Sequence, residues 1–228
     1  MFVKVNGVNL FYEKTGQGRP IILLHGNSES HMIFDVLTEQ LSDRFTVYAI
    51  DSRGHGQSSS VKNLDYEIMA EDIAAFVKEL EINKPILYGF SDGGILGLIL
   101  AYRYPDLLSK LIISGANLNP KGTVGYVAVI ERIVYCMTRS SKWKLMLTQP
   151  DIKDEQLAKI IVPTLVLAGS KDMIKESHTK HIAEQISNST LKIIPGESHM
   201  SYVIHSNKLY GIIIPFLEND SDRTADLG

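Results

Sequence analysis

A serine stands between two glycines in Gly89-Phe90-Ser91-Asp92-Gly93, just after the apolar run Ile86-Leu87-Tyr88. A serine hydroxyl is a weak nucleophile near neutral pH, but one lifted onto a tight strand-to-helix turn and served by a base can attack an acyl carbon. On so tight a turn the residues two places before and after the serine lie too close together for side chains, and Gly89 and Gly93 meet that demand. The next residues agree with the turn. Gly93, Gly97 and Ala101 recur every four positions, a side-chain-poor stripe that lets a helix lie close on a sheet, and Pro105 closes the run. The base needs a partner to fix its tautomer and carry its charge. Asp172 follows the apolar run Leu165 to Ala168, and His199 follows the run ending near Ile194, in Pro195-Gly196-Glu197-Ser198-His199.

The elements that must position these residues are legible as periods. Residues 2 to 14 alternate as two strands joined across Asn6-Gly7, a dipeptide suited to hairpin turns. Pro20 to Leu24, Phe45 to Ile50, Ile86 to Tyr88, Leu111 to Ile113 and Leu165 to Ala168 are apolar without alternation, as strands covered on both faces are; a further strand is expected at Leu191 to Ile194. Between them, Met69, Ile73, Phe76, Val77 and Leu80 share a helical face behind the capping residue Asp65. Ile33 to Leu41, Ser177 to Ile186 and Tyr202 to Leu217 show the same period more weakly. Strands alternating with helices define an α/β fold with a mostly parallel sheet, whose sites lie beyond the carboxyl ends of the strands.

One segment departs from the alternation. From residue 117 to 159 no strand is evident, while Tyr126, Val129, Ile130, Ile133, Val134 and Met137 repeat at helical spacing, and a second short helix holds Trp143, Leu145, Met146 and Leu147. The segment reads as a short helical cap whose apolar stripe packs on the main domain. The division expected is a discontinuous core of residues 1–116 and 160–218, the cap at 117–159, and a disordered polar tail at 219–228.

A length of 228 residues suits one α/β domain with an insertion, and 44% hydrophobic with 21% charged residues is the composition of a globular protein with a sizeable core. A net charge of −3 gives no electrostatic reason to expect nucleic acid or an anionic membrane as partner. The single cysteine, Cys136, excludes an intramolecular disulfide and reads as a small buried apolar residue in a reducing compartment. The amino terminus lacks the apolar core of a secretory signal, and no run reaches the roughly 18 to 20 apolar residues of a spanning helix. A cytoplasmic protein with no membrane partner is the expectation.

Taken together, Leu24-His25-Gly26-Asn27, Asp51-Ser52-Arg53-Gly54-His55-Gly56-Gln57-Ser58, the elbow from Gly89 to Gly93, and the chain order Ser91, Asp172, His199 resemble the α/β-hydrolase superfamily. The resemblance spans the first hairpin to about residue 217. It implies Ser91 as nucleophile, His199 as general base and then acid, and Asp172 as the residue orienting His199. The motif positions place the oxyanion-hole donors at the backbone N–H groups of Asn27 and Asp92. The activity that the resemblance implies is that of a serine hydrolase acting on a small-molecule ester or similar acyl bond, with neither metal nor organic cofactor. The same groups also serve carbon–carbon, thioester or aminoacyl hydrolysis and cofactor-free perhydrolysis; haloalkane and epoxide hydrolases place an aspartate where this chain has Ser91. A reading of another class is a ligand-binding or signalling protein on a hydrolase scaffold.

Asp92 has two readings. A carboxylate in a first helical turn meets the positive end of the helix dipole; beside a nucleophile it also attracts a substrate ammonium. The stretch Phe90-Ser91-Asp92-Gly93-Gly94 is similar to that of valacyclovirase-type amino-acid ester hydrolases, which adds weight to the second. Phe90, Tyr126 and Trp143 are further candidates for lining the pocket. His25 and His55 read as loop organisers, Asp51 and Arg53 as a structural pair, Glu197 as a weaker rival to Asp172, and His178 with His181 as solvated histidines rather than metal ligands.

Overall fold

The computed structural model describes residues 1–219; the expected tail lies, from residue 220 on, outside the described residues. The hairpin of β1 (Phe2–Val5) and β2 (Val8–Thr15) turns at Asn6 and Gly7, with φ of 44° and 79°, the left-handed pair that a two-residue hairpin turn requires. Then come β3 (Arg19–Leu24), α1 (Asp35–Ser42), β4 (Phe45–Ile50), α2 (Tyr66–Glu79), β5 (Ile86–Phe90), α3 (Asp92–Arg103) and β6 (Lys110–Ser114). Three helices succeed one another without a strand: α4 (Gly125–Thr138), α5 (Ser141–Thr148) and α6 (Asp154–Leu157). The chain then returns to the sheet with β7 (Thr164–Lys171), α7 (Glu176–Gln185), β8 (Ser189–Ser198) and α8 (Lys208–Leu217).

The eight strands form one sheet in the order β1-β2-β4-β3-β5-β6-β7-β8. β1 and β2 are antiparallel, β2 runs antiparallel to β4, and all pairs from β4 to β8 are parallel. Alternate residues of one strand feed opposite layers. Ile22 and Leu24 of β3 join the layer under α2 and α3, while Ile21 and Leu23 join the layer under α1 and α8. α3 is buried along nearly its whole length, from Asp92 to Tyr102. Its stripe of small residues makes this possible: a Cβ on Gly97 would stand 2.8 Å from Leu111 Cδ1. Asp65 caps α2 by accepting from the N–H groups of Glu67 and Ile68, at 2.9 and 3.1 Å.

Two expectations are corrected. The helical period at 202–217 holds only from Lys208; residues 199–205 form turns, because His205 takes φ 48° and sends its N–H to Ile33 O instead of continuing a helix. The apolar stripe of α4 does not pack on the core. Tyr126, Val129, Ile130, Ile133 and Met137 are 52–80% exposed, and Cys136 beside them is exposed rather than buried. The buried residue of α4 is its one acid, Glu131. Glu131 thus faces inward while most of the apolar stripe faces outward, Val134 alone of the stripe being partly buried and Arg132 exposed, which is opposite to the usual arrangement of a surface helix.

This inversion predicts a stability pattern. Ile133→Ser is expected to change unfolding free energy by less than about 0.5 kcal/mol, whereas Ile113→Ala, at 1% exposure, is expected to cost about 2–5 kcal/mol. Urea unfolding of the two variants beside wild type checks it.

Candidate active site

β5 delivers the chain to Ser91, which sits at φ 52°, ψ −114° before the first turn of α3. That conformation costs on the order of 1–3 kcal/mol and persists only where surroundings enforce it. Here they do. Ser91 N–H donates to Ser114 O of β6 at 2.7 Å, and Gly93 N–H donates to His25 O, beyond β3, at 3.1 Å. A Cβ at Gly89 would lie 2.2 Å from Gly93 O, and one at Gly93 would lie 2.1 Å from Leu24 O. Both glycines are therefore required sterically, as the spacing predicts.

Ser91 Oγ lies 3.1 Å from His199 Nε2, and His199 Nδ1 lies 2.7 Å from Asp172 Oδ1. Three residues from three strand ends, far apart in sequence, thus form one hydrogen-bonded line. Asp172 is held by the N–H of Ile174, which donates to Oδ1 at 2.8 Å. With Nδ1–H donating to this carboxylate, Nε2 is left to accept the Ser91 hydroxyl proton. His199 is 7% exposed. Phe90 packs behind it with ring centroids 4.9 Å apart. Glu197 turns away, accepting from Ser201 Oγ and pairing with Lys208, both at 2.6 Å.

The loop after β3 is built on buried polar groups. His25 Nε2 accepts from Ser52 N–H at 3.1 Å, and its Nδ1 bonds Gly26 O at 2.7 Å. Burial lowers the His25 pKa to about 4 and that of His55 to about 3, so both rings are neutral organisers of loops. Asp51 and Arg53 do not pair with each other. Asp51 accepts from His31 N–H at 2.7 Å, His31 Nδ1 at 2.8 Å and Gln57 N–H at 2.8 Å, while Arg53 forms a two-pronged pair with Asp72 of α2. Asn27 binds outward through its side chain, donating to Asp92 Oδ2 at 3.0 Å and to Lys142 O at 3.2 Å. Glu29, which sequence reasoning did not single out, accepts from Gly26 N–H at 2.9 Å, and burial pushes its pKa up to about 7.

A cavity of about 20 Å³ lies over the elbow, lined by Ser91 and Asp92 with Tyr66, Glu131, Met146 and Gln149 among others. It has room for about one water. Asp92 reaches into it, 5% exposed, with Tyr66 Oη–H donating to Oδ1 at 2.7 Å. Burial pushes Asp92 up to about 6 and Glu131 up to about 7, the latter helped by the Asp92 charge. Of the other expected lining residues, Phe90 lies behind His199, Trp143 of α5 is half-buried outside the lining, and Tyr126 is 69% exposed on the outer face of α4. Tyr66, Glu131 and Gln149 escaped sequence reasoning. The one usable signal was that Glu131 is the sole acid between Lys121 and Gln149.

Of the two histidines expected to be solvated, His178 is not. His178 is half-buried and accepts from Leu118 N–H at 2.9 Å, and His181 bonds Asp154 at 2.8 Å. Among the described residues no three His, Cys, Asp or Glu side chains cluster as a metal site, and no helix is long and apolar enough to cross a membrane.

With this sheet order and this elbow, the chain belongs to the α/β-hydrolase fold family, whose sequence description matches residues 19–135. The serine hydrolase BPHL of Homo sapiens is 28% identical over 95% of this chain and 85% of its own, and the AB hydrolase superfamily protein YisY of Bacillus subtilis is 27% identical over 92% and 95%. A thermophilic esterase from Thermogutta terrifontis superposes with a TM-score of 0.79 at 24% identity, covering 95% of this chain and 96% of the esterase; at that identity the likeness speaks to fold.

The buried acids make stability depend on pH. The Glu131 pKa, raised from 4.5 to about 7, means that the folded state holds this proton more tightly than the unfolded one. The resulting contribution is complete below about pH 4.5 and is lost as pH rises through about 7. Glu131→Gln removes the titration without breaking a hydrogen bond to the side chain. Its melting temperature relative to wild type is expected to rise between about pH 5 and pH 8, as thermal unfolding at the two values would show.

Proposed function

We propose that the protein is a serine hydrolase cleaving a small carboxylic ester, or a comparable acyl bond, through an acyl-enzyme intermediate. The observation that carries this reading is the continuous hydrogen-bonded line Asp172–His199–Ser91, with 2.7 and 3.1 Å links, at the head of a strained elbow. The names of the relatives, a serine hydrolase among them, support it.

The steps derive from the geometry. Ser91 Oγ bonds the substrate carbonyl carbon as its proton passes to His199 Nε2, and Asp172 stabilises the imidazolium that forms. The carbonyl oxygen, now an anion, takes hydrogen bonds from the N–H groups of Asn27 and Asp92. The second is the first residue of α3, whose N–H a helix leaves without an internal acceptor. Each such donor is worth about 2.7–4 kcal/mol in the transition state. Collapse breaks the bond to the leaving oxygen, which takes the proton back from His199 Nε2. A water, deprotonated by the same nitrogen, attacks the acyl carbon, and the acid leaves as Ser91 regains its proton.

We assign residues 117–159 as a cap. Its helices close the 20 Å³ cavity over Ser91, Asn27 binds its backbone at Lys142, and Gln149 ties it to α2 by accepting from Tyr66 N–H and donating to Asp65. A substrate larger than water enters only when these contacts open.

Ser91→Ala is expected to lower kcat on p-nitrophenyl acetate by roughly 10⁴ to 10⁶ and to abolish fluorophosphonate labelling; undiminished turnover by the pure variant would defeat the reading. Asp172→Asn, which turns the His199 tautomer the wrong way, is expected to cost about 10⁴ in kcat near pH 7, measured with the same ester.

A further inference from the structure

The exposed apolar surface is gathered on one helix. Of the eleven large apolar side chains that stand exposed among the described residues, five belong to α4: Tyr126, Val129, Ile130, Ile133 and Met137. At about 100° per residue they fall, with the exposed Cys136, within about 120° on the side of the helix away from the buried Glu131. The stripe runs from the first turn of α4 to the last, about 17 Å at a rise of about 1.5 Å per residue. Apolar residues exposed singly are ordinary on a protein surface, and Met32, Ile68, Ile161 and Met200 are of that kind. A continuous stripe with charged residues at its edge instead marks a surface that something covers.

The charge around the stripe is of one sign. Between Asp106 and Asp151 the chain has a single acid, Glu131, and it is turned inward. Four cations of the same segment, Lys121, Arg132, Arg139 and Lys144, are exposed, and none of them has an acidic partner among the described residues. Arg132 stands one turn before Cys136 at the edge of the stripe, and Arg139 follows the last turn of the helix. The chain's net charge of −3 averages this segment away. Charge and shape together select what covers the stripe. A two-fold pairing with a second copy would bring two cationic edges together with no acid to answer them. The stripe is also one helix wide, on the order of a few hundred Å², against about 800 Å² on each partner of a stable protein–protein interface. A lipid surface asks for no matching relief. An amphipathic helix lies in its boundary layer with the apolar side down, cationic side chains reaching out to the headgroups and aromatic rings at headgroup level.

We infer that the outer face of α4 is a docking surface for an anionic lipid layer, with Val129, Ile130, Ile133 and Met137 entering the acyl boundary, Tyr126 at headgroup level, and Arg132 and Arg139 meeting acidic headgroups. The attachment is peripheral, since no helix among the described residues is long and apolar enough to cross a membrane. Apolar burial supplies the affinity and the two cations supply the preference for acidic lipid. The inference does not depend on the chemistry of Ser91. It gives the inverted α4 a physical reason: a carboxylate facing such a layer would be repelled, and apolar side chains facing water alone would gain nothing.

Co-sedimentation of the full chain with lipid vesicles at low salt tests it. Vesicles of equal parts phosphatidylglycerol and phosphatidylcholine are expected to take up wild type roughly ten-fold or more better than vesicles of phosphatidylcholine alone, and high salt to shrink that preference. Ile130→Ser/Ile133→Ser is expected to cut partition into the anionic vesicles by roughly ten-fold or more, and Arg132→Gln/Arg139→Gln to remove most of the preference for them. Ile161→Ser removes an equally exposed apolar side chain just before the start of β7 and is expected to change neither. All these side chains are exposed, and urea unfolding at the wild-type midpoint confirms that each variant folds. Wild type that stays in the supernatant with both kinds of vesicle overturns the inference, whatever any variant does. So does uptake that Ile130→Ser/Ile133→Ser leaves undiminished, or that Ile161→Ser diminishes as much. Two other coverings have their own signatures, and each would displace the lipid. One is a dimer in sedimentation equilibrium that Ile130→Ser/Ile133→Ser dissociates and that stays off the vesicles; the other is wild type that binds poly-L-glutamate but not the anionic vesicles.

Discussion

The turn between β5 and α3 is held by backbone meeting backbone. Gly93 lies against the carbonyl of Leu24, Gly89 lies against the carbonyl of Gly93, and hydrogen bonds from Ser91 and Gly93 tie the turn to β6 and to the end of β3. Nothing with a side chain fits at these contacts, and Ser91 keeps its unfavourable φ only because both neighbouring strands clamp it. Much else is downstream. The clamp aims the hydroxyl at His199 Nε2 and starts α3 directly after the serine. It also brings the loop after β3 alongside, with Asn27 and Asp92 in contact.

The loops around this clamp are stabilised by buried polar groups that bond to backbone. His25 and His55, neutral because water is excluded, bond backbone groups instead of carrying charge, and Asp51 takes three N–H donors from two separate loops. Hydrogen bonds to a charged group contribute about 1.5–3 kcal/mol each, and such a carboxylate stripped of its donors would be left buried and unpaired. The loops are therefore rigid for polar reasons while the sheet beneath them is rigid for apolar ones. Such a site can be held in register with His199 and Asp172, which arrive from the far half of the sheet.

Strands and the elbow were legible in the sequence because each is a local pattern. Unalternated runs such as Pro20 to Leu24 mark strands covered on both faces, Asn6-Gly7 marks a hairpin, and Asp65 marks a helix start; the structure has all three. Chain order placed Asp172 and His199 at strand ends, and there they stand beside Ser91. What the sequence concealed depends on orientation and on partners distant along the chain. Helical spacing says that Tyr126, Ile130 and Ile133 share a face, but not whether that face looks in or out, and the apolar rule points the wrong way for α4. Arg53 lies two residues from Asp51, yet its partner is Asp72 on α2, a contact set by the approach of that helix to the loop. Tyr66, Glu131 and Gln149 come together only because α2 and the segment after β6 close on each other over the elbow.

The outward turn of α4 has a practical side. Cys136, the chain's single thiol, lies exposed near the carboxyl end of that helix, on the face away from Glu131. A maleimide dye would attach there in the native protein, with no cysteine to remove and none to add. Paired with the chain's single tryptophan, Trp143 on the neighbouring α5, it forms a donor and acceptor within the same helical segment. Paired instead with a probe on the sheet, it gives a ruler between that segment and the strands, read by light.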